Sequence, residues 1–331
     1  MRSLVKATPL TFTVAMLMSG LPGIAAAQRA PAADAGYPNK PIRLIVPQAP
    51  GGSNDIMARF IGGQLAERLA RQVVVDNRPG AEGIIGSELV ARAAPDGYTL
   101  LMASTAFTMN PAVMKKLPYD PLKDFDFATM LGRGPVLVTV GPSLPVNSLK
   151  ELIAVGKAKP NYITMAAAGG FNHFVSAMFR SHAGFESTIA LYKGGGPALI
   201  DVMGGHVHMG CPTIVTAAPL LRTGKLKALA ISSPKRLAVM PDLPTMIEAG
   251  LPSYDASIWW GWASAAGTPM PVLTKLNTEV ATILRLPETA KRMAAEGAEV
   301  EIRSLDDIRE MIKADLVKWA KVAADAKMPK I

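Results

Sequence analysis

An α/β fold built from two units is expected from three features of the sequence. Short apolar runs rich in branched residues alternate with segments of helical period. Two of the strand-to-helix junctions are rich in glycine. The chain, at 331 residues, is long enough for two cores. The first junction runs from Arg43 to Leu69, RLIVPQAPGGSNDIMARFIGGQLAERL. Leu44, Ile45 and Val46 suit a buried strand. Pro47 and Pro50 end it, Gly51 and Gly52 allow a tight turn, and Ser53 or Asn54 is placed to cap a helix. Ile56, Phe60, Ile61, Leu65 and Leu69 recur on one face of that helix. A helix that starts at the carboxyl end of a strand presents unpaired N–H groups, which favour an anion. Open α/β sheets bind ligands at that edge. A plain turn before a packed helix is the competing reading. The spacing is not a P-loop, since no Gly-Lys-Ser/Thr follows, and Gly-x-Gly-x-x-Gly is absent.

Along the first unit, Gln72 to Asp76 reads as a strand and Asn77 to Gly83 as a turn. Ile84 to Ala94 follows as a helix, then Tyr98 to Ala103 as a strand ending at Ser104-Thr105. This alternation implies a parallel sheet. A second unit begins near Pro135, with a strand at Val136 to Val140. Ser148 and Glu151 form a capping box for the next helix. The opening design then recurs. Ile163 to Ala167 is strand-like, Ala168-Gly169-Gly170-Phe171 is a turn, and Asn172 starts a helix that buries Phe174, Val175, Met178 and Phe179. Ala190 to Tyr192 leads into Lys193-Gly194-Gly195-Gly196-Pro197 and a helix over Ala198 to Met203. Leu226 to Ile231 is a strand. Helices are expected at Leu273 to Leu284, Pro287 to Glu296 and Leu305 to Ala324, with a strand at Val300 to Ile302.

The N-terminus reads as a secretory signal. Arg2 and Lys6 are its basic region, Pro9 to Ile24 is uncharged and mostly apolar, and Ala25 and Ala27 fit an A-x-A site with cleavage after Ala27. Gln28 to Gly36 is a leader. No later run is long and apolar enough for a membrane span. The formal charge is +9, and loss of Arg2 and Lys6 with the signal leaves +7. No block of like charge reads as a nucleic-acid arm. The single cysteine, Cys211, excludes an internal disulfide and reads as a small buried hydrophobe.

Five phrases together carry a resemblance: PIRLIVPQAPGGSNDIMAR, VVDNRPGAEGIIGSELVARAAPDGYTLLMAS, LYKGGGPALIDVMGGHV, GKLKALAISSPKRLAVMPDLPTMIEAG and WWGWASAAGTPMPVLTKLN. In this order they resemble the substrate-binding proteins of the tripartite tricarboxylate transporter family, the TctC or Bug receptors. The resemblance implies a type II periplasmic binding-protein fold in which two α/β domains hold a carboxylate between them. It also implies delivery to the permease subunits of a membrane transporter. The family's two ligand loops fall on Ala49 to Asp55 and on Ala167 to His173. This chain departs from the family pattern at Gly170, where a serine or threonine is usual, at Ala177, where a glutamate is common, and at His208, where an acid is usual.

The expected ligand contacts are Ala49, Gly51, Gly52, Ser53, Asn54, Asp55, Ser104, Thr105, Ala168, Gly169, Gly170, Phe171, Asn172, Lys193 and Gly194, with backbone N–H groups after Gly52 and Gly170 as the main anion donors. Lys193 and Arg78 are the nearby cations. Domain one is expected at 37–133 and 260–331, and domain two at 134–259. The domains would close about crossings near Leu131 to Pro135 and Ser257 to Gly261. No metal or cofactor is expected: His206, His208 and Cys211 lack the further ligands a metal needs. His173 and Ser176 lack a nucleophile elbow, so a hydrolase is the weakest alternative, behind a carboxylate sensor that signals to a partner. Trp259, Trp260 and Trp262 read as core or hinge, with lining of the cleft as the alternative. A periplasmic monomer is expected.

Overall fold

The computed structural model describes residues 36–252, 254, 256–295, 297–325 and 330. The expected signal and nearly all of the leader lie outside them. In chain order the elements are β1 (Ile42–Val46), α1 (Ser53–Leu69), β2 (Val73–Asn77), α2 (Ile84–Ala91), β3 (Thr99–Ser104), α3 (Thr105–Val113), β4 (Phe125–Pro135), β5 (Leu137–Val140), α4 (Leu149–Ala158), β6 (Thr164–Ala168), α5 (Gly169–Ala183), β7 (Thr188–Tyr192), α6 (Gly195–Met203), β8 (Met209–Gly210), α7 (Ile214–Leu221), β9 (Lys227–Ile231), β10 (Ser257–Ala265), α8 (Met270–Leu284), α9 (Pro287–Ala295), β11 (Glu299–Val300) and α10 (Leu305–Asp325). They form two sheets, of order β11-β4-β10-β3-β1-β2 and β7-β6-β8-β5-β9.

β1 is apolar on both faces because helices cover it on either side, and four of its five residues are buried. It pairs in parallel with β2 and β3, as β6 does with β7 and β8. The sheets are nevertheless mixed, which corrects the all-parallel expectation. β10 runs antiparallel to β3 and β4, and β5 runs antiparallel to β8 and β9. The physical reason is that β4 carries the chain out of the first sheet and β10 brings it back the opposite way.

These two strands are the frame on which both sheets hang. β4 continues through Val136 into β5, while the return passes from β9 to β10. Ser257 sits opposite Pro135, Ile258 opposite Gly134 and Trp259 opposite Arg133, so the two crossings are paired to each other. Ser232 fastens them further. Its buried hydroxyl accepts from the Val136 N–H at 2.9 Å and donates to the Ala256 carbonyl at 2.5 Å. Trp260 and Trp262 are fully buried and Trp259 nearly so, in agreement with a core or hinge role. The helix α8 packs on β4 and α1, beside the first sheet.

Local differences from the sequence reading have plain causes. α1 buries Met57, Ala58, Ile61 and Leu65, whereas Ile56, Phe60 and Leu69 are only partly buried at the edge of the core. Its N-cap is Gly52, and neither Ser53 nor Asn54 caps it, since both already lie in the helix. The stretch 168–171 is not a turn: α5 begins at Gly169, so Asn172 is inside it. α6 likewise starts at Gly195 rather than Ala198. α2 ends at Ala91, and the last strand is shorter than expected, at Glu299–Val300. The Ser148 cap is observed, its hydroxyl accepting the Glu151 N–H at 3.1 Å while the Glu151 carboxylate accepts from the Asn147 N–H.

Ser232→Ala should cost about 1–3 kcal/mol, because it strands a buried N–H and a buried carbonyl where the sheets join. The urea midpoint, read with an unchanged slope, measures it.

Candidate functional site

Five strand-to-helix junctions meet at one cleft between the sheets. Gly52, Ser53 and Asn54 reach it from the start of α1, and Ser104 and Ala106 from the start of α3. Ala168, Phe171 and Asn172 come from α5, Gly195, Ala198 and Leu199 from α6, and Pro212 and Thr216 from α7. Gln48, Ala166, Gly210, Cys211 and Ile258 complete the lining, and the cleft is partly open to solvent.

The helix ends are arranged for an anion. α1, α3, α5 and α6 have no side-chain cap, so the N–H groups of their first turns have no intrahelical partner. α7 is capped only at 3.4 Å, by Thr213. The lining holds no Lys, Arg or His among the described residues, so positive potential comes from backbone dipoles alone. The neutral polar groups are fixed in place. Asn54 donates to Gln48 Oε1 at 2.5 Å and to Ser104 Oγ at 3.2 Å, and Asn172 donates to the Cys211 carbonyl at 2.6 Å. The Trp260 indole lies 3.4 Å from Ser53 Oγ. Burial pushes the Cys211 thiol up to about 12, so it stays neutral.

Several residues singled out from the sequence face other partners. The Gly51 N–H donates to Asp55 at 3.0 Å, and the Asp55 carboxylate also accepts from Arg59 and Asn77. Thr105 Oγ1 accepts the Trp259 N–H at 2.9 Å. Lys193 is exposed, and Arg78 pairs with Asp76 at 3.0 Å; neither lines the cleft. Gly169 and Gly170 form the first turn of α5. Phe171 belongs both to the cleft wall and to the core. Away from the cleft, His206 is exposed, and His208 Nδ1 accepts from the Thr164 N–H at 3.1 Å. No group of three or more metal-ligating side chains exists among the described residues. Ser176 adjoins Cys211.

Ala49, Gly51 and Gly194 lie at the rim, where the loops of the two sheets touch. The Ala49 N–H donates to the Lys193 carbonyl at 2.8 Å. A Cβ on Gly194 would fall 2.9 Å from that of Ala49, one on Gly196 would fall 2.8 Å from the Pro50 carbonyl, and one on Gly52 would fall 3.3 Å from the Gly195 nitrogen. Main chain packs on main chain here because no side chain intervenes.

Sequence reasoning missed Gln48, Leu199, Pro212, Thr216 and Ile258. The signal for Thr216 was the Thr213-Thr216 spacing before an apolar run, hidden by Pro219 within the helix.

Residues 57–327 match the sequence profile described as "Tripartite tricarboxylate transporter family receptor" (TctC). The chain belongs to that family. It is 36% identical to Protein BugT of Bordetella pertussis over 293 residues, 87% of this chain and 90% of BugT. Among solved structures it superposes on the periplasmic binding protein BugD with a TM-score of 0.86 and 33% identity, covering 89% of this chain and all of that one. It superposes equally well, at TM-score 0.86 and 32% identity, on Rpa4515 of R. palustris with adipate, again over 89% of this chain and all of the other. The fold of this receptor is thus the periplasmic binding-protein fold, with a sheet on each side of the cleft, and the family is one of binding receptors.

In the receptor's α1 loop, burial raises the Asp55 pKa, but bonds from Arg59, the Gly51 N–H and Asn77 outweigh it and hold the carboxyl below its ordinary value. A depressed native pKa stabilises above the unfolded value, near 4, and the gain disappears as pH falls through the native one. Asp55→Asn should therefore melt lower than the parent at neutral pH, with the difference shrinking below about pH 4. Paired melting curves from pH 7 to pH 2.5 read it.

Proposed function

We propose that this receptor captures a small carboxylate outside the cytoplasm by closure of two domains and presents it to a tripartite transporter. The observation that carries this reading is the meeting of four uncapped helix N-termini at a cleft whose described lining has no cationic side chain. Such a site offers a carboxylate directed N–H donors and dipoles in place of an ion pair. Membership of the family and the adipate held by a relative favour the same ligand class. The donors are the first turns of α1 and α5, with Ser53, Asn54, Ser104 and Asn172 as polar supports.

The domains are 37–133 with 260–331, and 134–259, turning about the paired crossings. The mature chain starts at Gln28 after export, remains in the periplasm, acts as a monomer and meets the permease subunits in its closed form. Among the described residues no helix is long and apolar enough to cross a membrane.

A thermal-shift screen of carboxylates tests the reading, because a ligand at a hundred times its Kd stabilises the native state by about 2.7 kcal/mol. At least one acid should raise the melting temperature, compact the protein in small-angle scattering and be recovered unchanged. An absence of any shift, or consumption of the acid, overturns it.

The rim supplies a second test. The φ of Gly194 is 178°, extended backbone open to any residue, so what glycine spares there is space. Gly194→Ala should open the rim without altering the cleft lining. Overpacking of this kind costs about 1–3 kcal/mol, which would weaken carboxylate binding by roughly 5- to 150-fold. Gly63→Ala, with nothing within 4 Å of its added Cβ, is the matched control. Equal affinities in the two variants would separate rim contact from ligand capture.

A further inference from the structure

Behind the cleft lies a smaller chamber, walled by Glu82, Ser87, Phe107 and Asn110 and sharing Gln48, Ser104 and Ala106 with it. Its free space takes about one water-sized group. Two buried polar atoms on its lining residues have no hydrogen-bond partner among the described residues: Glu82 Oε2 and Asn110 Oδ1. Asn110 is only 2% exposed, and its amide nitrogen is already committed to the Glu82 carbonyl at 3.2 Å. Glu82 makes no ion pair with any described residue. Burial alone lifts its pKa, with no neighbouring cation to offset it.

The backbone holds Glu82 in place at a cost. Four successive residues, Gly80 to Gly83, have positive φ, with Ala81 at 46° and Glu82 at 57°. Side chains other than glycine's rarely occupy this region, and such strain concentrates at functional sites. Two carbonyl-type acceptors left unsatisfied in a water-sized space call for one donor-rich group, and an ammonium has that size, three donors and the charge that Glu82 lacks beside it.

We propose that this chamber receives the cationic nitrogen of the ligand, which makes the receptor selective for amino-substituted carboxylates. The inference rests on the carboxylate reading of the main cleft, since the acid group of the same molecule would lie against the helix ends.

Calorimetric titration at pH 7 with matched pairs tests it: alanine and β-alanine against propionate, aspartate against succinate, and glutamate against glutarate. In the pair that fits the cleft, the amino acid should bind at least about tenfold tighter than the plain acid. Glu82→Gln should bring that ratio to within about twofold. Glu82→Gly should do the same and keeps the fold available, since glycine adopts a φ of this sign freely. Plain acids that bind as tightly as their amino partners, or a ratio unmoved by both variants, would overturn the chamber and leave the carboxylate reading standing. Failure of every acid in both series, with or without nitrogen, would overturn both.

Discussion

The pairing of β4 with β10 across Pro135 and Ser257 is the constraint on which the rest of the receptor depends. Each sheet is an α/β layer, and among the described residues the chain leaves the first sheet along β4 and re-enters it along β10. Both crossings are tied to one another and to Ser232. This ribbon joins the sheets so that the junctions after β1, β3, β6, β7 and β8 all meet at the same cleft. The anion-attracting ends of five helices are therefore brought together by topology, and no charged side chain has to be buried to create the potential. That avoids the desolvation penalty of a buried cation.

The α/β alternation and the glycine junctions at 49–52 and 168–171 were legible because strand and helix periods are strong local signals. What stayed hidden was non-local. β4 and β10, which contain Gly132, Gly134 and Gly261, were expected only as crossings between the domains and not as strands. The reason for Gly132 appears only in three dimensions, where a Cβ would lie 2.3 Å from the Glu299 carbonyl of the neighbouring strand. α3 and α7 were obscured by Pro111 and Pro219 inside them. Each is a case of tertiary contact overriding a local rule.

The candidate site shows the same division. Gly52, Ser53, Asn54, Ser104, Ala168, Phe171 and Asn172 line the cleft where the junction argument put them. Asp55 and Thr105 satisfy backbone donors, and Gly51 and Gly194 form the rim. These roles depend on what stands opposite each residue, and one strand's sequence carries no record of that. Lys193 reads as a cation from sequence, yet the part of it that meets the other loop is its carbonyl.

Cys211 gives the receptor an unintended reporter. The residue is 1% exposed, sits on the cleft wall and is held neutral by burial. Thiol reagents attack the thiolate, so the sulfur is protected both by access and by charge. Alkylation of this one atom therefore requires the wall around it to open, and the labelling rate reads how often that wall opens, without any engineered probe.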